Sequence, residues 1–337
     1  MRRGSIVQLL ALGVLIGAGA TALALFVPWL PPVASKERER IDFVFWFTTA
    51  ICIGIFALVA SLIIYSIIKF RVRPDDDSDG PPIHGHTGLE VFWTAIPAML
   101  VTAIAIVSGV VLTKNDAIPK DHLTVDVSAQ QFEWTFKYPT YKNLTTGYLV
   151  LPRGKSTVLR ISAVDVIHSF WVPEFGQKQD ALPGSVNTLK VTPTKDGTYP
   201  VICTELCGLG HSLMRSEVRV MEPAAFDAWA KEQLKKLQAG GSNAGLAVFA
   251  NNGCGGCHTF TPAKSKGTAG PDLDKLPAEA RRANRGSLEN FVRESIVDPN
   301  KYIEPGFQPN VMPTSFGSLP KDQLDALVQF LAQGSNK

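Results

Sequence analysis

Three apolar runs come first, and the chain turns polar after them. Residues 43–68 form an uncharged run of 26 between Asp42 and Lys69, and residues 91–112 form a second of 22. Each is long enough to cross a bilayer, so residues 41–113 are predicted to make a two-helix transmembrane hairpin. A further apolar run lies within residues 5–30, behind Arg2-Arg3. Residues 1–34 are therefore either a signal peptide or an extra membrane helix: the length fits a span, while Ala34-Ser35 fits a processing site and tips the reading to cleavage. Lys69, Arg71 and Arg73 follow the first long run, which assigns that loop to the cytoplasm and everything beyond about residue 114 to the outer face. Asp75-Asp76-Asp77 in the same loop reads as solvated surface.

Beyond the hairpin the period changes to two. Leu123-Thr-Val-Asp-Val-Ser, Ser156-Thr-Val-Leu-Arg-Ile-Ser and Glu217-Val-Arg-Val alternate, with Gly, Pro and Asn between them. That pattern predicts a β-sandwich or barrel over residues 120–222. Residues 223–238 return to helical spacing and Ala239-Gly-Gly-Ser-Asn-Ala-Gly breaks it, so 223–242 reads as a helix and linker. Residues 243–337 then form a separate helical domain, with a helix expected from Lys321 to Ala332.

Charge narrows the function classes. A net charge of +3 over 337 residues, with no basic stripe interleaved with aromatics, argues against nucleic-acid binding. The segment from 241 onward carries ten basic and nine acidic side chains, so no strongly one-signed docking face is forced on it.

Cysteine usage points to electron transfer. Cys203-Thr-Glu-Leu-Cys-Gly-Leu-Gly-His-Ser-Leu-Met214 puts two thiolates, an imidazole and a thioether within twelve residues, and His168 stands upstream. Soft sulfur donors beside imidazole select copper, and two cysteines that can both bridge suit a copper pair. A disulfide or structural zinc is the alternative, but neither needs His211 and Met214 at fixed offsets. Further on, Cys254-Gly-Gly-Cys257-His258 is a haem c attachment sequence with His258 as proximal ligand; the rival redox Cys-x-x-Cys lacks a thioredoxin-like context. By elimination among five methionines, Met312 is the distal ligand, a pairing that raises haem potential. Cys52, in an apolar run, has no such role.

At these residues the chain resembles subunit II of the haem-copper cytochrome c oxidases, whose copper loop has the form Cys-x-Glu-x-Cys-x3-His-x2-Met. The resemblance extends through Val166 to Pro173 and through Lys178-Gln179-Asp180-Ala181-Leu182-Pro183-Gly184. It implies a multidomain membrane protein: the transmembrane α-helical hairpin, an all-β cupredoxin-like Greek-key domain, and an all-α domain similar to class I cytochromes c. By the same resemblance His168, Cys203, the Glu205 carbonyl, Cys207, His211 and Met214 hold a dinuclear CuA centre. The Glu205 carboxylate then faces a magnesium ion at the boundary with subunit I. Glu90, in Glu90-Val-Phe-Trp-Thr-Ala-Ile-Pro97, matches a stretch whose glutamate opens a proton channel, and that role is preferred over the plain helix-start role common for a carboxylate at a membrane edge. Phe132 stands where the family has a tryptophan at the docking surface for soluble cytochrome c, so the fused haem is expected to approach CuA differently, with Trp134 a packed core aromatic. His84, His86 and His122 are assigned no role.

The implied function is that of an electron-input subunit. Electrons from an external donor, a cytochrome c or a quinol-oxidising complex, pass through haem c and CuA to the haem of subunit I, where oxygen is reduced to water with proton translocation. The chain has six histidines, none in an apolar span, so the oxygen site must lie on subunit I. Subunit III and membrane lipid complete the expected partners, in the plasma membrane of a bacterium with the redox domains on the periplasmic or extracellular face. A CuA-bearing nitric oxide reductase shares this logic. A membrane-anchored copper chaperone shares only the Cys-x3-Cys.

Overall fold

The computed structural model describes residues 3–71, 82, 84–238 and 241–335; Arg73 and the Asp75–Asp77 run lie outside these. The chain divides into two units, one of residues 1–32 and 39–117, the other of residues 33–38 and 118–337.

In the first unit the apolar runs become helices α1 (Arg3–Phe26), α2 (Lys36–Lys69) and α3 (Thr87–Asp116). All three are long and apolar enough to cross a membrane. α2 and α3 run past the predicted spans at both ends, because the flanking residues keep the helical pattern without being apolar. The start of α3 is fixed by capping: His86 accepts from the Leu89 amide, and the Glu90 carboxylate accepts from the His86 amide at 3.0 Å. This satisfies amides that a helix leaves unpaired at its N-terminus. Glu90 therefore performs the helix-start role, and His86 acquires a structural one.

The β-domain of the second unit is a sandwich of two five-stranded sheets. One is ordered β3 (Leu144–Thr146), β2 (Glu133–Tyr138), β1 (Leu123–Gln130), β5 (Thr157–Ala163) and β8 (Asn187–Val191). The other is ordered β4 (Leu149–Pro152), β10 (Arg215–Met221), β9 (Gly197–Cys203), β6 (His168–Trp171) and β7 (Lys178–Ala181). β1 and β5 pair in parallel, as do β4 and β10, so each sheet contains a crossover and the fold is cupredoxin-like. Alternation does what it predicted: Leu123, Val125, Val127 and Ala129 of β1 are buried and the residues between them are not. Residues 33–38 are stitched to this domain, with Glu37 accepting from the Thr192 amide at 2.7 Å and Arg38 donating to the Pro173 carbonyl at 2.9 Å.

The stretch expected to be helix and linker does more than link. α4 (Pro223–Gln238) buries Phe226 and Ala230 in the sandwich core, with Phe226 packed at a tilt and Trp229 edge-on against Tyr138. Burying one such aromatic contributes about 2–3 kcal/mol, enough to keep the helix on the sheet. The helical domain follows with α5 (Gly241–Asn251), the short α6 (Cys254–Cys257), α7 (Leu276–Ala283), α8 (Leu288–Val297) and α9 (Lys321–Gly334). α5 packs on α9 through Val248, Phe249, Leu327, Phe330 and Leu331, with Phe260 against both Phe249 and Phe330.

Candidate copper and haem centres

The copper loop hangs between β9 and β10, and the antiparallel pairing of those strands brings its two ends together. Cys203 ends β9, His168 begins β6, and Phe170 pairs with Cys203 across the sheet, so the upstream histidine arrives beside the loop by register. Sulfur and nitrogen donors converge there. Cys203 Sγ lies 3.9 Å from Cys207 Sγ, 3.9 Å from His168 Nδ1 and 3.3 Å from the Glu205 carbonyl oxygen. Cys207 Sγ lies 3.5 Å from His211 Nδ1 and 3.8 Å from Met214 Sδ. Both cysteines are free, with the sulfurs well beyond the ~2 Å of a disulfide.

Donor chemistry fits copper. His168, Cys203 and Cys207 offer donor atoms within 4.8 Å of one another, with the Glu205 carbonyl beside Cys203 and with His211 and Met214 beside Cys207; His168 and Met214 are completely buried. Burial pushes both thiols up. Contacts with His168 and with the Glu205 and Ser169 main chain nonetheless bring Cys203 down to about 6. Burial and the neighbouring Cys203 sulfur drive Cys207 to about 12.

The sequence reading missed the residues around these donors. Asp165 Oδ1 bonds His168 Nε2 at 2.9 Å, leaving Nδ1 turned to the sulfurs, and Asp165 Oδ2 accepts from the Gln131 amide at 2.8 Å. Gln131 in turn donates from its side chain to the Cys207 carbonyl. Asp165 stands three residues before His168, a spacing that could have flagged it. Gln131 carried no comparable signal. The Glu205, Leu206 and Leu209 side chains of the loop are exposed, the two leucines at 78% each, which leaves an apolar tip.

The second centre is a cavity of about 630 Å³ in the helical domain, within the usual range for cofactor sites. Cys254, Cys257, His258 and Met312 all line it. His258 Nδ1 bonds the Pro271 carbonyl at 2.7 Å, which orients the ring and leaves Nε2 free as a ligand. Burial pushes the Cys254 thiol up to about 12 and holds His258 below the usual imidazole range. Largely apolar walls of Phe249, Leu276, Phe291, Val292, Leu327 and Leu331 fit a flat macrocycle, so the residues present suit haem.

One wall of that cavity comes from the β-domain: Phe132, Glu133, Trp134, Ser212, Leu213 and Arg215. Phe132 also covers the copper loop, since a Cβ added at Gly210 would come within 2.5 Å of its ring. Phe132 thus stands between the cavity and the Cys203–Met214 loop, because the helical domain sits over the start of β2. Trp134 is a core aromatic as expected, 2% exposed, with its ring centroid 6.2 Å from that of His168 and 5.5 Å from that of Phe170.

Comparison with known proteins identifies the domains. Family models match residues 145–221 (cytochrome c oxidase subunit II, periplasmic domain), 21–111 (cytochrome c oxidase subunit II, transmembrane domain) and 242–335 (cytochrome c). The chain is 34% identical over 256 residues to cytochrome c oxidase subunit 2 of Thermostichus vulcanus, which covers 60% of this chain and 78% of that one. It is 31% identical over 296 residues to cytochrome c oxidase subunit 2 of Alkalihalophilus pseudofirmus, covering 83% of each. Among solved structures, the periplasmic domain of subunit II of cytochrome oxidase from Bradyrhizobium japonicum is 31% identical, covers 36% of this chain and 99% of that one, and has a TM-score of 0.34.

Proposed function

Because the chain belongs to the cytochrome c oxidase subunit II family and carries a C-terminal cytochrome c domain, we propose that it receives electrons on its haem-binding domain and delivers them through its copper loop to subunit I. Cys254 and Cys257 would hold haem c covalently, with His258 and Met312 as its iron ligands. His168, Cys203, the Glu205 carbonyl, Cys207, His211 and Met214 hold the dinuclear copper. Haem and copper supply reversible one-electron chemistry at these two places. The protein contributes orientation, water exclusion and a short path between them.

One observation carries the proposal: Phe132 and Trp134 border the haem cavity while touching, respectively, the copper loop and the candidate ligand His168. The partly buried Phe132 and the buried Trp134 keep water out of the gap, and a rigid β-frame limits rearrangement when charge changes. The exposed Leu206 and Leu209 give the copper loop an apolar tip suited to burial against a membrane partner subunit.

Orientation and remaining partners complete the reading. The three helices anchor the chain in a bacterial plasma membrane, with both redox domains on the outer face. The Glu205 carboxylate faces magnesium at the subunit I boundary, subunit III joins the complex, and a cytochrome c or quinol-oxidising complex is the external donor. Glu90 opens a proton route in addition to capping α3. Gentle purification of the complex, with optical spectra and gas uptake, tests the proposal. Haem c and dicopper bands with oxygen consumption are expected, whereas turnover of nitric oxide in place of oxygen would sink it. Unchanged proton uptake in Glu90→Gln would remove the proton role alone.

A further inference from the structure

Ser315 and Glu133 are 182 residues apart, yet Ser315 Oγ donates to Glu133 Oε1 at 2.8 Å. Each end of this bond is placed next to a redox centre. Ser315 lies three residues beyond Met312, in the 3₁₀ turn Thr314–Ser318 that follows the candidate axial ligand. Glu133 adjoins Phe132, the ring that covers the copper loop, and its own side chain lines the haem cavity. The bond therefore ties the loop behind one centre to the strand in front of the other.

A second contact makes the seat two-pointed. Gly147, in the turn between β3 and β4, lies so close to the haem-attachment segment that an added Cβ would come within 2.6 Å of the Gly253 nitrogen and 3.0 Å of the Asn251 carbonyl oxygen. Ser216 fixes that turn by donating from its hydroxyl to the Gly147 carbonyl at 2.6 Å. Backbone thus meets backbone on one side of the cavity, and a side-chain bond closes the other.

We propose that the Ser315–Glu133 hydrogen bond is an intramolecular latch, with Glu133 the positioning residue that holds the haem-bearing face of the cytochrome domain on the copper domain. A polar pair at a largely apolar boundary specifies one register among the many that apolar contact alone would allow. Removing either partner leaves the other poorly satisfied. The inference rests on the functional reading above, since the latch matters only if haem and copper occupy the two sites.

The test uses the complete oxidase complex, with both centres first verified by their spectra. Amide hydrogen exchange is followed at residues 250–256 and 314–318, and haem-to-copper electron transfer is timed after flash photoreduction. In Glu133→Ala, exchange in both segments is expected to quicken about tenfold and transfer to slow, with both spectra unchanged. Glu133→Gln keeps an acceptor oxygen and should restore both readouts. Ser315→Ala should match Glu133→Ala, with the double variant no worse than either single. Unchanged exchange and transfer in both single variants, or effects that add in the double, overturn the latch. If Glu133→Ala fails to fold, Ser315→Ala decides by the same readouts. Absence of haem or copper spectra from the natural chain would overturn the functional reading instead, so the two failures are distinguishable.

Discussion

The copper loop and the haem cavity belong to one unit but are built on opposite plans. At the copper loop, strands β6, β9 and β10 deliver the donors, and sulfurs and imidazoles already stand 3.5–3.9 Å apart within a closed frame. The haem cavity is a void of about 630 Å³ whose candidate axial ligands, His258 and Met312, come from segments held apart by that void. A metal ion completes the first site. The cofactor supplies much of the interior of the second, because the apolar walls have nothing else to pack against. Donors set by a β-frame are thus contrasted with a domain whose bound cofactor would form part of its core.

The largest expected effect breaks the haem side of this comparison. Cys254→Ala with Cys257→Ala should abolish covalent haem and cost the C-terminal helices most of their exchange protection, while the sandwich keeps its own. Equal loss in both domains would show that the frame is not independent. On the copper side, Cys203→Ser with Cys207→Ser should eliminate the dicopper spectrum yet leave the protection of the β-sheets nearly intact. Collapse of the sandwich in that variant would place copper among its structural supports.

A smaller effect tests how the frame is tuned. Asp165→Asn keeps the shape but weakens the bond that turns His168 Nδ1 to the sulfurs, so copper affinity should fall about 10–100-fold with the fold unchanged, as read by competition with a chelator. Retained affinity would assign that orientation to β6 alone.

The smallest effect concerns pH. Burial pushes the Glu133 carboxyl up to about 7 from an ordinary value of 4.5, and the Ser315 bond opposes this only in part. Opening the boundary returns the carboxyl to water, so the docked form binds the proton more tightly than the open one. Glu133's contribution to docking is therefore fully present below about 4.5 and is lost as pH rises through about 7. Opening constants from exchange, corrected for the intrinsic pH dependence, should rise across that window in the natural chain and stay flat in Glu133→Gln. The other ionisable groups lining the cavity are Arg215, His258, Asp272, Glu279, Tyr302 and Glu304, with the thiols of Cys254 and Cys257. A slope that persists in Glu133→Gln would assign the titration to one of them.

Legibility in the sequence followed locality. Helices announced themselves by length and hydropathy, strands such as β1 by alternation, and the copper loop by ligands that are neighbours in the chain. Cys254, Cys257 and His258 were equally plain for the same reason. Asp165 and Gln131 were not, because an acid and an amide acquire their meaning only when a fold aims them. The surroundings of Phe132 were not legible since its partner surface lies on another domain, and the Ser315–Glu133 pair is joined by tertiary docking that no local pattern encodes. Glu90 was readable both ways, and its contact with His86 adds a capping duty.

The placement of α4 has a kinetic consequence. Phe226 and Ala230 root that helix in the sandwich, and only residues 239 and 240 separate its end from α5. Two residues reach at most about 7 Å when fully extended. The cytochrome domain is thus on a leash too short to travel: it cannot shuttle to a distant reductase and return. On the proposed reading, the external donor must come to it. Rising donor concentration should therefore saturate turnover at a ceiling set by events inside the complex.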